Sequence, residues 1–434
     1  MIKAPRGTRD LLPGEIEKWH YIEAVAREIS AIYGYQEIRT PIFEHTELFL
    51  RGIGDTTDVV QKEMYTFEDR GGRSITLRPE GTAAVVRAYL EHHLQNQPQP
   101  VKLYYLGPMF RYDRPQAGRM RQFHQVGIEA FGSNDPSLDA EVVCYTWDFL
   151  SRLGLKGLRV EVNSVGCPEC RPVFGRDLRE FMNEHRESLC EYCRDRIERN
   201  PLRLLDCKEQ RCQDLLKDAP GIHQYLCPEC RGHFQKVREL LRVAGISFRV
   251  NERLVRGLDY YTQTAFEVSL EGMGAQSSVA GGGRYNNLVE TCGGSPVPGI
   301  GVAIGLERVL IALEKLGVEL PIKRPEYIFV ATAGEDPSGE LEKEAMSLLV
   351  KLRRAGYPAE KDFLSRSLKA QMKQAGRLGS RFVVILGTEE MKEGKVTLRD
   401  MERGSQINVT QQELFRFLEN RKSGEAELWE TADV

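Results

Sequence analysis

The sequence has no apolar segment long enough to cross a membrane and no hydrophobic leader. No apolar run approaches the ~18 residues that a transmembrane helix requires, and the first ten residues, MIKAPRGTRD, contain no apolar core of a secretory signal. We therefore expect a cytoplasmic protein without a membrane partner. A net charge of −3 excludes a polycation, so any contact with nucleic acid must come from local basic patches.

The common nucleotide-binding fingerprints are also missing. Ala280–Asn286 contains three consecutive glycines, but it lacks the Lys-Ser/Thr pair of a P-loop and the glycine spacing of a dinucleotide site. We predict a flexible turn here that could admit a ligand.

Cysteine, in contrast, is abundant and clustered. Eight of the ten cysteines form C-x2-C, C-x2-C, C-x4-C and C-x2-C pairs: Cys167, Cys170, Cys190, Cys193, Cys207, Cys212, Cys227 and Cys230. A reducing compartment argues against disulfides, and the pairs fit two structural Zn2+ sites of four thiolates each. The alternative is free thiols at helix ends. Cys144 and Cys292 are expected to be buried small apolar residues.

The chain length of 434 residues predicts two or three domains. Residues 1–325 are predicted to form the first, interrupted at about 167–242 by a polar, helical, cysteine-rich insertion after which a β pattern resumes. Residues 322–325 are a predicted linker. Residues 326–434 alternate strands with helices, which indicates a small α/β domain with a mixed sheet.

The first hundred residues show three local patterns. Apolar residues at helical spacing predict a helix over 15–33 that ends at Gly34. Tyr35–Glu44 is a predicted strand that Pro41 restricts to a sheet edge or a subunit contact, because proline lacks a ladder donor. Residues 64–77 predict a hairpin around Asp-Arg-Gly-Gly-Arg.

Residues 102–131 form the most informative stretch. Two predicted strands, Lys102–Asp113 and Gln122–Phe131, flank a loop that is rich in arginine. Alternation places four residues of the second strand on one face: Phe123, Gln125, Gly127 and Glu129. A ring, an amide and a carboxylate on one face indicate the floor of a polar pocket. The alternative is an ordinary hairpin with an Arg-rich turn.

Other candidate residues lie at element junctions. Glu80 and Thr82 precede a predicted helix, where they either cap its N-terminus or line a pocket edge that binds an ammonium group. Tyr260 and Tyr261 would point to opposite faces of a regular strand, or pack in the core. Arg308 stands early in a helix, where it opposes the macrodipole and needs an anion or a stacked ring.

The C-terminal domain has one strongly basic region. From residue 351 to 381 there are nine Lys or Arg against two acids. A predicted helix from about Ser365 places Lys369, Lys373 and Arg377 on one face, opposite Leu364, Leu368 and Met372. The face is either solvated or a phosphate contact.

Several separate segments resemble the histidyl-tRNA synthetase family of class II aminoacyl-tRNA synthetases. Arg6–Asp10 resembles its N-terminal signature, Tyr35–Glu44 motif 1, Phe110–Phe131 motif 2 and Gly299–Arg308 motif 3; Leu254–Glu267 resembles the block specific to histidine. The resemblance implies an α+β fold: an antiparallel-sheet catalytic domain with the cysteine-rich insertion, plus a C-terminal α/β anticodon-binding domain.

The resemblance also implies the reaction: ATP-dependent ligation of L-histidine to its tRNA through an enzyme-bound histidyl-adenylate. Arg111 and Arg256 would be the catalytic residues, holding the α-phosphate and the substrate carboxylate. Phe123 and Arg308 would sandwich the adenine, Arg119 would reach the γ-phosphate, and Mg2+ would accompany ATP. The family usually has Glu where this sequence has Asp113, the residue that contacts the adenine amino group.

For histidine, the resemblance implies that Glu129 and Tyr261 grip the imidazole. The remaining implied contacts to the amino acid are Glu80, Thr82, Gln125, Tyr260, Arg111 and Arg256. Because such a polar site rejects apolar amino acids strongly, no editing domain is required.

The implied partners are a second copy of the chain and the tRNA. The tRNA acceptor end would meet Arg114 and Gln116, and the anticodon region would meet the C-terminal domain. A rival is the regulatory subunit of ATP phosphoribosyltransferase, a paralogue that lacks the C-terminal domain and whose ATP-site arginines degrade. A third reading makes the cysteine insertion a nucleic-acid-binding zinc module.

Overall fold

The computed structural model describes residues 1–55, 57–273, 277–322 and 326–423. The chain forms two compact units, Met1–Ile322 and Lys323–Val434. Residues 323–325 of the predicted linker lie outside the described residues. Across the described ranges, no helix combines the length and the apolar character that crossing a bilayer demands.

The first unit is organised around a sheet. Its strands are β1 (Gln36–Glu37), β2 (Phe43–His45), β3 (Tyr65–Glu68), β4 (Ser74–Leu77), β5 (Val101–Phe110), β6 (Gln122–Phe131), β7 (Leu158–Ser164), β8 (Phe248–Val250), β9 (Thr262–Leu270), β10 (Ser278–Arg284) and β11 (Gly299–Gly305). Eight of them form one sheet in the order β1-β5-β6-β11-β10-β9-β7-β8, and β2-β4-β3 form a small second sheet. Only the outermost pairs of the large sheet, β1–β5 and β7–β8, are parallel.

The helices of this unit are α1 (Ile16–Ile32), α2 (Thr46–Ile53), α3 (Thr82–Glu91), α4 (Pro136–Arg152), α5 (Cys170–Glu184), α6 (Glu191–Arg196), α7 (Gln210–Leu215), α8 (Pro228–Val243), α9 (Leu288–Thr291) and α10 (Leu306–Lys315). Apolar residues of α1, α4, α8 and α10 share one core with the alternate strand residues Val126, Ile128, Val302 and Phe266. Because successive strand residues face opposite sides, the intervening residues of these strands point away from that core.

An insertion of helices separates β7 from β8, which nevertheless pair in parallel. It contains α5 to α8 and has its own apolar cluster, in which six of the eight clustered cysteines are buried and the other two are partly buried. The insertion therefore has an independent core in addition to its attachment to the sheet.

The predicted strand Tyr35–Glu44, interrupted by Pro41 and restricted to a sheet edge, is confirmed in part: β1 lies at the edge of the large sheet, the chain is irregular around Pro41, and Phe43 and Glu44 belong to β2 of the small sheet. The triple glycine was predicted as a flexible turn, but it lies in β10, a central strand. A Cβ would have no room at these positions: at Gly281 it would overlap the side chain of Arg256, and at Gly282 and Gly283 the backbones of the neighbouring strands.

The second unit is a mixed sheet in the order β13-β12-β14-β15-β16, as predicted for an α/β domain. Its elements are β12 (Tyr327–Ala333), α11 (Glu340–Arg354), β13 (Ala359–Lys361), α12 (Leu368–Arg377), β14 (Ser380–Gly387), α13 (Thr388–Lys392), β15 (Lys395–Asp400), β16 (Gln406–Thr410) and α14 (Gln411–Ser423). The apolar helix face predicted to include Leu364 was wrong, because that residue precedes α12 and is 71% exposed.

Candidate active site

Four central strands present a face nearly free of side chains. Gly127, Ala303, Gly281 and Glu267 are paired in one row across β6, β11, β10 and β9. The next row is Glu129, Gly301, Gly283 and Ala265. Residues directly opposite one another in an antiparallel sheet face the same side. We call these two rows the glycine floor. It has the carboxylate of Glu129 at one end and that of Glu267 at the other, and it lies on the face of the sheet away from the helical core.

Functional side chains lie directly on this floor. A Cβ at Gly281 would overlap the guanidinium of Arg256, and a Cβ at Gly301 would overlap the carboxylate of Glu129. Glycine is required at both positions because it lets another group approach the backbone closely. The three consecutive glycines were thus a signal for this site, although the sequence pattern was interpreted as a turn.

Glu129 is the most deeply enclosed acid on the floor, at 1% exposure. Its carboxyl group accepts a hydrogen bond from the Thr82 hydroxyl at 2.7 Å and another from the Tyr285 hydroxyl. Burial raises the pKa of Glu129 to about 8, and the two hydrogen bonds oppose that rise. Sequence reasoning missed Tyr285, which directly follows the triple glycine and Arg284.

Glu80 acts as the helix cap that one of the two interpretations predicted. Its carboxylate accepts the backbone N–H of Thr82 at 2.7 Å and of Ala83 at 2.8 Å, in the first turn of α3. Burial raises its pKa. Because Thr82 also bonds to Glu129, the cap and the buried acid belong to one hydrogen-bonded group.

Arg256 occupies the opposite end of the floor. Its Nη1 lies 2.5 Å from Oε2 of Glu267, and its backbone carbonyl accepts a hydrogen bond from Arg203 at 2.9 Å. Burial opposes the charge, but Glu267 and Tyr261 keep the pKa of Arg256 above its usual range. Its Nε is buried and has no hydrogen-bond partner within the described part of the chain, so this guanidinium retains donor capacity.

The structure brings the four predicted arginines to one region. Burial lowers the pKa of Arg308, and the positive charges of Arg119, Arg111 and Arg256 lower it further. Arg308 is held by backbone carbonyls, at 2.7 Å to Ser278 and 3.3 Å to Gly118. Mutually repelling guanidinium groups in a partly buried space are suited to a polyanion.

The remaining ATP-site candidates lie around Arg111. Its Nε donates to the carbonyl of Pro79 at 2.8 Å, and its guanidinium carbon is 5.5 Å from the Phe123 ring centroid. Asp113 lies 3.3 Å from Arg119, so these two candidates pair with each other. The ring of Phe123, predicted to stack on adenine, therefore lies beside the guanidinium of Arg111.

The two tyrosines stand before β9, so the premise that they alternate on a strand was wrong. The rings of Tyr260 and Tyr261 are 4.7 Å apart, and burial raises both pKa values. Tyr261 interacts electrostatically with Arg256 and Glu129, which places it between the two ends of the floor. Gln125 has a buried Oε1 that lacks a hydrogen-bond partner among the described residues.

The clustered cysteines form two groups of four that are nested in the sequence. The outer centre is Cys167, Cys170, Cys227 and Cys230, and the inner centre is Cys190, Cys193, Cys207 and Cys212. Within each centre the sulfur atoms lie within 4.8 Å of one another. The separation is 3.5 Å between Cys167 and Cys170, 4.0 Å between Cys167 and Cys227, and 3.8 Å between Cys190 and Cys207. A Zn–S bond of about 2.3 Å gives a tetrahedral S–S edge of about 3.8 Å. Both centres could hold a metal ion.

An antiparallel sheet with helices on one face, and arginines and a buried acid over glycines on the other, is the catalytic domain of a class II aminoacyl-tRNA synthetase. Residues 7–169 and 200–309 match the histidyl-tRNA synthetase family, and residues 327–421 match the anticodon binding domain family. The chain belongs to the histidyl-tRNA synthetase family.

Individual relatives agree with this assignment. The chain is 58% identical over 417 residues to the histidine–tRNA ligase of Desulforamulus reducens, which covers 96% of this chain and 99% of that protein. It is 58% identical to the histidine–tRNA ligase of Pelotomaculum thermopropionicum, over 97% of this chain and 98% of that protein. The apo crystal structure of S. aureus histidyl-tRNA synthetase is 41% identical, covers 96% of this chain and 99% of its own, and has a TM-score of 0.81.

Proposed function

We propose that this chain catalyses the ATP-dependent ligation of L-histidine to its tRNA through an enzyme-bound histidyl-adenylate. The observation that carries the proposal is the enclosed carboxyl group of Glu129 on the same glycine floor as Arg256. At one end of the floor, the carboxyl group of Glu129 can accept a hydrogen bond from an imidazole N–H. At the other end, the guanidinium of Arg256 can neutralise the histidine carboxylate and the α-phosphate, the two anions that must meet during adenylation.

In the first step a carboxylate oxygen of histidine attacks the α-phosphorus of ATP. The new bond is O–P, and the bond to the bridging oxygen of the leaving pyrophosphate breaks. Arg111 and Arg256 hold the carboxylate and the α-phosphate together and stabilise the charge that develops on phosphorus. Mg2+ supplied with ATP neutralises the β- and γ-phosphates.

The remaining phosphates and the base of ATP are assigned to the residues around Arg308. Arg119 binds the γ-phosphate, and Arg308 and Phe123 stack on the two faces of adenine. Asp113 contacts the adenine amino group in place of the usual glutamate. The repulsion between Arg308 and its three neighbouring arginines supports this part of the proposal, since a bound triphosphate relieves it.

In the second step a terminal ribose hydroxyl of the tRNA attacks the carbonyl carbon of the adenylate, and AMP leaves. Arg114 and Gln116 are exposed in the loop between β5 and β6, where they can meet the acceptor end. The second unit, which matches the anticodon binding family, binds the anticodon region.

The specificity for histidine follows from the polar contacts around Glu129. Glu129 and Tyr261 bind the imidazole, and Glu80, Thr82, Gln125 and Tyr260 complete the contacts to the amino acid together with Arg111 and Arg256. An apolar amino acid would offer no partner to the groups that still need one, among them Gln125 Oε1 and Arg256 Nε, which costs far more than a missing methylene. The complete arginine set and the C-terminal unit argue against the regulatory-subunit alternative.

We further infer that each four-cysteine centre binds one structural Zn2+, because the sulfur separations match a tetrahedral edge and four thiolates leave no open coordination position. The enzyme works in the cytoplasm, where such thiols stay reduced, and as a homodimer. The exposed Ile42 and Phe43, in the stretch that resembles motif 1, support the dimer.

The direct test is histidine-dependent exchange of pyrophosphate into ATP, with the other amino acids as controls. Arg256→Ala should reduce this exchange at least 100-fold, because removing one preorganised donor to a transition-state oxyanion costs about 2.7–4 kcal/mol. The matched control is Arg249→Ala, an exposed arginine of β8, which should retain full exchange. Exchange that does not depend on histidine, or that survives Arg256→Ala, would refute the assignment.

A further inference from the structure

One short segment of the insertion, residues 192–203, makes hydrogen bonds to the active-site loop that carries Arg256. Arg203 donates from Nη1 to the backbone carbonyl of Arg256 at 2.9 Å. Asn200 donates to Asp259 at 2.9 Å, three residues further along the same active-site loop. A third contact runs from Arg196 to the carboxylate of Asp58. The segment therefore holds the loop that carries Arg256 at two positions.

The inner four-cysteine centre encloses this segment. Two of its cysteines, Cys190 and Cys193, lie at the start of α6, and Cys207 and Cys212 follow the segment. The Sγ atoms of Cys190 and Cys207 are 3.8 Å apart, so the centre closes the segment into a loop. All four cysteines are buried. A bond between the two ends of a loop removes much of its conformational freedom.

Direct bonds to the metal would add order at both ends of this segment. The segment contains most of α6 and the start of a short 3-10 helix at Pro201–Asp206. Within it, Cys193 and Ile197 are buried in the insertion core and Leu202 packs against that core, and Leu204 follows directly. Arg203 is next to two of these residues, so the position of its guanidinium depends on the geometry of the loop.

We propose that the inner centre, loaded with Zn2+, is a positioning device for Arg256. It fixes the loop from which Arg203 holds the backbone carbonyl of Arg256 and Asn200 holds the carboxylate of Asp259, so that metal occupancy in the insertion sets the efficiency of adenylate formation. Arg203 is a positioning residue, because it acts through its hydrogen bond to the backbone carbonyl of Arg256. The proposal rests on the proposed function, in which Arg256 contacts the reacting phosphate.

The metal content is measured first, on the full-length enzyme. Elemental analysis should find Zn2+, and Cys190→Ser/Cys207→Ser should contain one equivalent less than the unaltered chain. Cys144→Ser, a cysteine outside both centres, should contain the same amount as the unaltered chain. Co2+ introduced in place of Zn2+ should show sulfur-to-metal absorption that the double variant loses in part. A zinc content unaffected by the double variant would overturn the proposal.

The coupling is measured by pyrophosphate exchange in a double-mutant cycle. Arg203→Met should lower the turnover number about tenfold with its zinc content unchanged, and Arg203→Lys should recover part of the loss by donating to the same carbonyl. The control is Arg211→Met, an exposed arginine of α7, which should be unaltered. Combining Arg203→Met with the inner-centre variant should lower turnover no further than the larger single effect, because both disturb one contact.

Two results would overturn the coupling. One is full turnover in an enzyme that has lost the inner metal, and the other is a combined variant whose losses multiply. If the cysteine variant does not fold, a chelator can be used to remove Zn2+ from the unaltered enzyme, and Zn2+ can then be restored. We expect turnover to fall when the metal is removed and to recover when it is returned. Failure of the proposed function itself would instead appear as absence of histidine-dependent exchange in the unaltered, zinc-loaded chain.

Discussion

Glu129 shows how burial and hydrogen bonding together define a binding residue. Its carboxyl group receives hydrogen bonds from Thr82 and Tyr285, which satisfy both oxygens in the absence of substrate. Its pKa of about 8 means that the empty site holds a largely protonated carboxyl group at neutral pH. A bound imidazole that donates an N–H would favour the ionised form, so substrate binding and proton release are linked at this residue.

The raised pKa gives a prediction for stability. The native state keeps its proton on Glu129 up to about pH 8, whereas the unfolded chain loses it near pH 4.5. The contribution of Glu129 is therefore fully present at low pH and is lost as pH rises towards 8. Between pH 5.5 and 8 this amounts to roughly 3 kcal/mol. Glu129→Gln should lack this decrease when the free energy of unfolding of the first unit is measured by denaturant titration at both pH values.

The same variant should affect histidine recognition. Glu129→Gln keeps the shape but replaces an ionisable acceptor, so the specificity constant for histidine should fall roughly 10- to 100-fold, about 1.5–3 kcal/mol for a hydrogen bond to a charged group. Asp10→Asn, an exposed acid near the N-terminus, is the control and should alter neither measurement. A pH profile of unfolding identical in Glu129→Gln and the unaltered chain would contradict the assigned pKa.

At the residue scale, local rules predicted only part of the site. Alternation along a strand correctly placed Gln125, Gly127 and Glu129 on one side of β6, because that periodicity is fixed by the backbone. The hydrogen bond from Tyr285 to Glu129 joins residues 156 positions apart. No local pattern contains such a contact, since it depends on how β10 and β11 are ordered in the sheet.

At the scale of elements, one buried ionic group joins a strand to two helices. Arg284 ends β10 at 0% exposure, and its guanidinium binds the carboxylate of Asp139 in α4 at 2.8 Å. His233 of α8 contacts the other oxygen of Asp139 at 3.0 Å. Burial raises the pKa of Asp139, but the hydrogen bond from His233 and the charge of Arg284 lower it overall. Because α8 ends the insertion, this group ties the insertion to the sheet.

Removing Arg284 from this buried ionic group should destabilise the folded state. Arg284→Met should lower the free energy of unfolding by about 3–5 kcal/mol, because it leaves the carboxylate of Asp139 buried without its cation. Chemical denaturation measures the change. Combining it with Asp139→Asn should recover part of the loss, since no uncompensated charge remains.

The control for this prediction is an exposed ion pair of the same unit. Arg159 pairs with Glu271, and both side chains are more than 60% exposed. Arg159→Met should change the free energy of unfolding by no more than about 0.5 kcal/mol. If Arg284→Met cost as little as Arg159→Met, the buried group would not join the elements in the way described.

Elements with strong periodicity were predictable, and those defined by their neighbours were not. The helix over 15–33 and the strand Gln122–Phe131 were predicted within one residue, because amphipathic spacing marks a buried face. The short strands β13 and β16 were missed, since three to five residues carry little periodic signal. β10 was missed because its glycines are explained by Arg256 and not by the strand itself.

At the scale of the whole molecule, the two units have separate cores and separate chemistry. One apolar cluster of the second unit contains residues of the strands β12 to β16 and of the helices α11 and α14, together with Tyr357 just before β13. Its conspicuous feature is the basic face of α12, where Lys369, Lys373 and Arg377 are exposed. Among the described residues, none of these three side chains makes a hydrogen bond or an ion pair. They are free to contact phosphates.

Neutralising this basic face should weaken the binding of tRNA and leave adenylate formation unchanged. Replacing Lys369, Lys373 and Arg377 together by Gln should raise the KM for tRNA roughly 10- to 100-fold at low salt. The slope of log KM against log salt should become shallower by roughly 2 to 3, because each of the three lost phosphate contacts removes about 0.7–0.9 of a released counterion. Histidine-dependent pyrophosphate exchange, which requires no tRNA, should be unchanged.

The comparison that tests this division of labour keeps the change in net charge constant. Lys392, Lys395 and Arg403 are also exposed residues of the second unit, but the two lysines are already paired with Glu389 and Glu393. Replacing these three by Gln removes the same charge from residues outside α12, so the KM for tRNA should change less than threefold. If both triple variants weakened charging equally, the effect would come from overall charge and not from α12. If the α12 variant also lowered pyrophosphate exchange, the second unit would take part in adenylation, and separate roles for the two units would have to be abandoned.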